Sequence, residues 1–277
     1  VTTRRLSLAK WPPSVWIGMA IVLGFAFLAA FGPMLAPHGE GQVIGDVWEP
    51  LSWVHPLGTD NLGRDMLSRM LFGARTTVGI ALSATVLAFL LGSILGFLAA
   101  SIGGVMDQLI SRAVDTVMAI PTLIFALVVL SVIPTSIPVL IAVMAVLNAT
   151  PVFRVSRAVA MDIAVMDYVE VARLRGEGVL WLMGREILPN ALTPLIAEFG
   201  LRFSFAMLFL AALSFLGMGV QPPAADWGGM VKENSAAVSF GLVAPLIPAA
   251  AIAIMTIGVN LVVDWVLNRT SLLRREG

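Results

Sequence analysis

The sequence predicts an all-α polytopic membrane protein with six transmembrane helices, and three observations carry that prediction. Hydrophobic residues form 58% of the chain and mean hydropathy is +0.94, too apolar for an ordinary soluble domain. The charged residues, only 12% of the total, gather between long apolar runs, as lipid demands of a spanning chain. Six of those runs are long enough to cross a bilayer, which takes about 20 residues as a helix.

The first span is Val15 to Leu35, preceded by a short basic tail that carries Arg4, Arg5 and Lys10. It is full spanning length and no small-residue cleavage site follows, so it reads as an anchor rather than a signal peptide. His38 to Ser52 is punctuated by Gly and Pro and is too irregular to lie in lipid. From His55 to Thr77, Leu62, Met66 and Met70 recur at helical spacing. Thr59 or Asp60 can cap a helix there, and Asp60–Arg64 and Asp65–Arg69 are spaced as i,i+4 pairs. That stretch predicts an amphipathic helix lying on the membrane or on a partner.

The remaining spans are Val78 to Ser101, Val114 to Ile133, Ile137 to Val155, Ala191 to Phe215 and Pro245 to Leu267. Pro121, Pro134, Pro138 and Pro151 interrupt or bound the middle ones, while Gly92, Gly96, Ala99 and Ala100 allow close helix approach. Both termini then fall on one side. That side holds twelve basic residues, from Arg4 and Arg5 through Arg112, Arg154, Arg157, Arg173, Arg175 and Arg185 to Arg275. The other holds only Arg64, Arg69, Arg75 and Lys232, and this asymmetry predicts that both termini are cytoplasmic.

One polar interruption, Met166 to Pro194, lies on the basic side. It carries Asp167 and Tyr168, then Glu170-Val171-Ala172, and breaks at Gly176, a poor helix residue and an easy place to turn. An apolar run from Val179 to Met183 follows, and Leu188-Pro189 suits the first turn of the next helix. Two short helices meeting at an angle are expected, with Arg173 and Arg175 on the first arm.

Glu170-Val171-Ala172, Gly176 and Leu188-Pro189, placed between two spans, resemble the EAA loop of ABC-importer permeases, with Val171 in place of the usual alanine. Leu57-Gly58-Thr59-Asp60, Gly63-Arg64-Asp65, Ser68-Arg69 and Gly73-Ala74-Arg75 are similar to the segment after the first span in C-type permeases of the dipeptide/oligopeptide/nickel family. Ser214-Phe215-Leu216-Gly217, Gln221-Pro222-Pro223 and Trp227-Gly228 resemble the segment after that family's fifth span. The C-terminal end departs, with Asn260 to Trp265 where a Gly-Asp-Gly pattern is usual.

The resemblance implies a type I ABC-importer (MetI-like) permease fold. Its organisation would be a cytoplasmic tail at 1–13, a first helix at 14–36, an outer loop at 37–75 and a five-helix core at 76–268, ending in a tail at 269–277. Within the core, 160–189 would be the loop that docks on an ATPase, through Tyr168, Glu170, Val171, Ala172, Arg173, Gly176, Leu188 and Pro189. Glu170 would either touch the ATPase or brace the elbow through Arg173. The partners implied are a homologous B-type permease, two cytoplasmic ATPases that bind the ATP and Mg, and an extracytoplasmic solute-binding protein. Peptides, opines, glutathione and nickel chelates are all substrates within that family.

Three other groups stand out. Asp60, Arg64, Asp65 and Trp227 are candidates for contact with the partner permease or the binding protein; an ion-paired helix and an interfacial tryptophan are the structural alternatives. Glu198 and Arg202 lie nine and thirteen residues beyond Pro189, deep in a span and one helical turn apart. Ionisable groups there face protein or a water-filled cavity, so the pair either lines the translocation path or its gate, or neutralises itself in packing.

Several classes are disfavoured. The chain has no cysteine and two histidines, His38 and His55, which rules out thiolate chemistry and makes a poor metal set. Neither Lys10 nor Lys232 follows a glycine, so no P-loop occurs, and no hydrolase motif is present. A catalytic role and a bound cofactor are not expected, nor, at zero net charge, a nucleic-acid partner. A secondary transporter or channel working without ATPases is the competing reading. It would need coupling carboxylates or inverted repeats, and Glu198 is the one deep acid.

Overall fold

The computed structural model describes residues 12–275, with side chains to 268, and the basic residues Arg4, Arg5 and Lys10 lie outside that range. Five helices among the described residues are long and apolar enough to cross a membrane, and a bent helix pair makes a sixth if counted as one span. Helix α1 (Pro13–Leu35) starts on a proline, which has no N–H to leave unsatisfied at a helix start. The next helix, α2 (Met66–Ile102), is one unbroken rod of 37 residues. Its N-cap is Asp65, whose carboxylate accepts the Ser68 N–H at 3.0 Å.

This replaces the separate surface helix expected around 55–77. Residues 59 to 65 form a loop closed by isolated bridges, Val43 to Arg64 and Thr59 to Asp65. The turns from Met66 to Thr77 are the largely buried first turns of a span. Capping falls to Asp65, not to Thr59 or Asp60, because the chain turns helical only after the second bridge.

The span expected at Val114–Ile133 is broken. α3 (Gly104–Met118) and α4 (Thr122–Val132) meet at 82° around Pro121. Proline disfavours helix at the residue before it and donates no hydrogen bond, so the two helices cannot run on as one. α5 (Ile137–Ala164) continues past the expected end at Val155, absorbing Pro151 in its interior.

α2 and α5 run parallel and touch backbone to backbone. A Cβ on Gly92 would stand 2.6 Å from the Ala149 carbonyl, and one on Gly96 2.8 Å from that of Phe153. Only glycine permits that approach, which in lipid replaces the missing hydrophobic drive with close van der Waals contact.

Short helices α6 (Asp167–Leu174) and α7 (Val179–Leu182) form the elbow. A π-turn, Met183–Ile187, joins α7 to α8 (Leu188–Phe215), so the second arm is continuous with its span rather than a separate helix. The π-turn has a cause in the sequence. Pro189 offers no N–H to the Arg185 carbonyl and crowds it, so the ladder slips by one residue. Asn190 Nδ2 adds a side-chain bond at this turn, donating to the Glu186 carbonyl at 2.6 Å.

At the far end, α9 (Trp227–Glu233) and a 3₁₀ turn (Ser235–Phe240) lead into α10 (Leu246–Arg275), so the backbone of most of the expected C-terminal tail is helical. One core cluster joins α2, α4, α5, α8, α9 and α10, with α1 packed against it. A second lies at the elbow, among Phe97, Ala160, Val169, Ala172, Leu182 and Ile187.

Candidate functional site

Three sites emerge from this architecture: the elbow, a charged network at the opposite end, and an ion pair within α8.

The elbow is closed by its glycine. Gly176 sits at φ +83°, which favours glycine, while its N–H donates to the Arg173 carbonyl at 2.9 Å and that of Glu177 to Ala172 at 3.3 Å. These two bonds end α6 and turn the chain toward α7. Asp167 and Glu170 lie in the first turn and Arg173 in the last, each matching the helix dipole.

α6 is two-faced. Val169 and Ala172 point inward and are fully buried against the second core cluster. Tyr168, Val171 and Leu174 form the outward stripe, exposed by 42, 53 and 82%. Leu180 of α7 is exposed beside the elbow's break, and Arg175 stacks over Trp181 at 5.8 Å.

This corrects one sequence expectation. Ala172 does not present its side chain to a docking partner, since it is 0% exposed and fills the inside of the elbow. Nor does Glu170 pair with Arg173; among the described residues neither makes an ion pair, and both are exposed. Leu188 and Pro189 are exposed at the start of α8.

At the opposite end, Arg64 and Arg69 both reach Asp60 Oδ2, at 2.7 and 2.6 Å, and both reach Glu233 Oε2, at 2.7 and 2.5 Å. Backbone N–H groups of Leu62 and Arg64 donate to Asp60 Oδ1 at 2.8 and 2.9 Å. Burial alone would push the Asp60 carboxyl up. Those N–H donors, with the charges of Arg69 and Arg64, outweigh it and hold the group below its ordinary value. Asn234 completes the joint: its Oδ1 accepts from Trp48 Nε1 and from the Asn61 N–H.

The i,i+4 reading is therefore half right. Asp60–Arg64 forms, but Asp65 spends its carboxylate on Ser68 and His38, and Arg69 turns to Asp60 and Glu233. The outer-contact reading also needs correction. Asp60, Arg64, Asp65 and Trp227 are 0, 5, 1 and 1% exposed, so burial within the chain closes them to direct docking. Trp227 is no interfacial anchor; it is wedged between α2 and the aromatic ring of Phe25. Glu233 was not singled out, because an acid 164 residues from its arginine leaves no local spacing to read.

Asp226 caps α9 through the Gly229 N–H at 3.1 Å, and burial pushes its carboxyl up. Near the elbow end, Arg157 of α5 grips Asp107 of α3 with both Nε and Nη2, at 2.5 and 2.6 Å. This bidentate clamp braces the broken helix pair and was likewise hidden by a separation of 50 residues.

Within α8, Arg202 Nε lies 2.7 Å from Glu198 Oε1, as the spacing predicted. The guanidinium also stands over the Phe205 ring at 5.9 Å.

Comparison with known proteins places this geometry in context. Residues 88–271 match the family model described as binding-protein-dependent transport system inner membrane component. The di/tripeptide transport system permease protein DppC of Pseudomonas aeruginosa (strain UCBPP-PA14) is 35% identical over 89% of this chain and 84% of its own. The dipeptide transport system permease protein DppC of Escherichia coli (strain K12) is 35% identical over 90 and 85%. That of Haemophilus influenzae (strain ATCC 51907 / DSM 11121 / KW20 / Rd) is 33% identical over 90 and 86%.

Proposed function

Starting from the fact that the chain belongs to the family of binding-protein-dependent transport system inner membrane components, we propose that it is one permease of an ATP-driven importer of peptides or related small solutes. It forms half of the translocation path, beside a homologous B-type permease in the bacterial inner membrane, with both termini cytoplasmic. A solute-binding protein delivers substrate from outside. Two cytoplasmic ATPases hold the ATP and Mg, and this chain carries out no chemical step of its own. The peptide substrate rests on what the relatives are named for transporting.

The observation that carries the coupling role is the exposed apolar stripe of Tyr168, Val171 and Leu174, rimmed by Glu170, Arg173 and Arg175. An apolar surface on a water-facing tip favours a partner over solvent. The elbow is packed on its own core and continuous with α8 from Val179 onward, so a push on the stripe moves the span as a lever. ATPase closure would then rock α8 between inward- and outward-open arrangements.

The test is isolation of the chain in mild detergent with its neighbours. Two ATPase subunits should accompany it, and hydrolysis should rise when the loaded binding protein is added. Uptake by the chain in liposomes without any ATPase would instead establish the secondary-transporter reading.

A further inference from the structure

The Glu198–Arg202 pair has hydrogen-bonding capacity that the chain does not use. Nε and Oε1 face each other 2.7 Å apart and are closed off by burial, which leaves the second carboxylate oxygen of Glu198 and the two Nη groups of Arg202 as the atoms able to take a further partner. No other side chain among the described residues is recorded bonding to either one, although the Arg202 side chain is 25% exposed and that of Glu198 12%. Leu201 and Phe205 beside them are exposed, so the other helices do not close this face of α8. Half-satisfied charges in the middle of a span are costly against lipid, and they call for a polar occupant.

The geometry suggests which one. Glu198 and Arg202 lie four residues apart, about 6 Å along the axis. The termini of two extended residues are separated by at most about 7 Å. A solute with an ammonium at one end and a carboxylate at the other can lie antiparallel to the pair. Its ammonium then donates to Glu198, and the Nη groups of Arg202, whose guanidinium stands over the Phe205 ring, donate to its carboxylate. Such a solute is neutral overall, so it enters the span with little net charge to desolvate.

We propose that Glu198 and Arg202 form a subsite in the translocation path that reads both charged ends of a zwitterionic solute, such as an unblocked dipeptide. This rests on the importer reading given above. It assigns solute recognition to the permease itself, in addition to the receptor.

The test uses the complete complex in liposomes with labelled dialanine as probe. Glu198→Gln with Arg202→Gln removes both charges together and leaves no lone charge in the span. Uptake at subsaturating dialanine should fall at least about tenfold, the worth of one charge-assisted hydrogen bond.

The exchanged variant Glu198→Arg with Arg202→Glu keeps a neutral pair but inverts it, and uptake should stay depressed. Wild-type uptake by either variant overturns the subsite, as does a double-glutamine complex that falls apart while the exchanged one is fully restored. A wild-type complex that hydrolyses ATP but takes up no dialanine overturns the peptide reading instead, and that outcome is distinct from the other two.

Discussion

Trp227 lies across Gly73 so closely that a Cβ on the glycine would stand 2.9 Å from Cδ1 and 3.3 Å from Nε1 of the indole. The indole N–H donates to the Met70 carbonyl at 3.1 Å, and the Trp227 backbone N–H donates to Thr77 Oγ1 at 3.0 Å. Phe25 of α1 meets the ring edge-on at 5.4 Å. One tryptophan thus locks α1, α2 and α9 together. Gly73→Ala should cost about 1–3 kcal/mol, because a fully buried ring has nowhere to retreat. Thermal unfolding in detergent measures it, and a variant as stable as wild type would mean that the indole has room to move.

The two faces of α6 predict two different failures. Ala172→Trp overfills the inside of the elbow, so stability and ATPase coupling should fall together. Leu174→Asp changes a side chain that is 82% exposed, so stability should move by no more than about 0.5 kcal/mol. Its effect should be loss of the ATPase subunits on purification. Retention of those subunits with full stimulated hydrolysis in Leu174→Asp would remove the stripe as the docking surface.

Asp60 should be the costliest member of its network to lose. Asp60→Ala leaves two buried guanidinium groups sharing the single carboxylate of Glu233, a cost on the order of 3–5 kcal/mol. Because the folded-state value of Asp60 is lowered, its contribution is present in full above the unfolded value, near 3.9, and is lost as pH falls through the folded one. The stability gap between wild type and Asp60→Asn should therefore be flat near neutrality and narrow in acid. A gap that widens in acid would contradict the assignment.

Asp226 should act with the opposite sign. Burial raises its value, so its stability contribution is present below the unfolded value and lost as pH rises through the folded one. Asp226→Asn retains an oxygen to cap Gly229 while removing the buried charge. Relative to wild type, this variant should gain stability as pH rises from about 4 upward. Denaturation across that range reads the trend directly.

Orientation is testable because the chain has no cysteine of its own. Trp53 is 102% exposed in the loop before α2, and Gly178 at the elbow has open space for a side chain at an ordinary φ of −76°. On intact cells, an impermeant thiol reagent should label Trp53→Cys and spare Gly178→Cys. The reverse pattern would invert the topology.

The sequence by itself determined the number and order of apolar runs, the break at Gly176 and the Glu198–Arg202 pair. Each of these is written locally. A bilayer asks every span for the same length and apolarity, a left-handed turn asks for glycine, and a helix brings i,i+4 residues together. Only the tertiary structure decided which polar residues are buried. Asp65 and Arg69 have the right spacing, but Asp65 stands before the first helical turn, so the two never share a helix face. Arg69 finds Glu233 instead, on a helix that follows the bent pair and two further spans. Ala172 is small in sequence for either of two reasons, a groove outside or a core inside, and composition cannot separate them. The packing of α6 on Phe97 and Leu182 places it inside, because burial is a property of what folds against a residue.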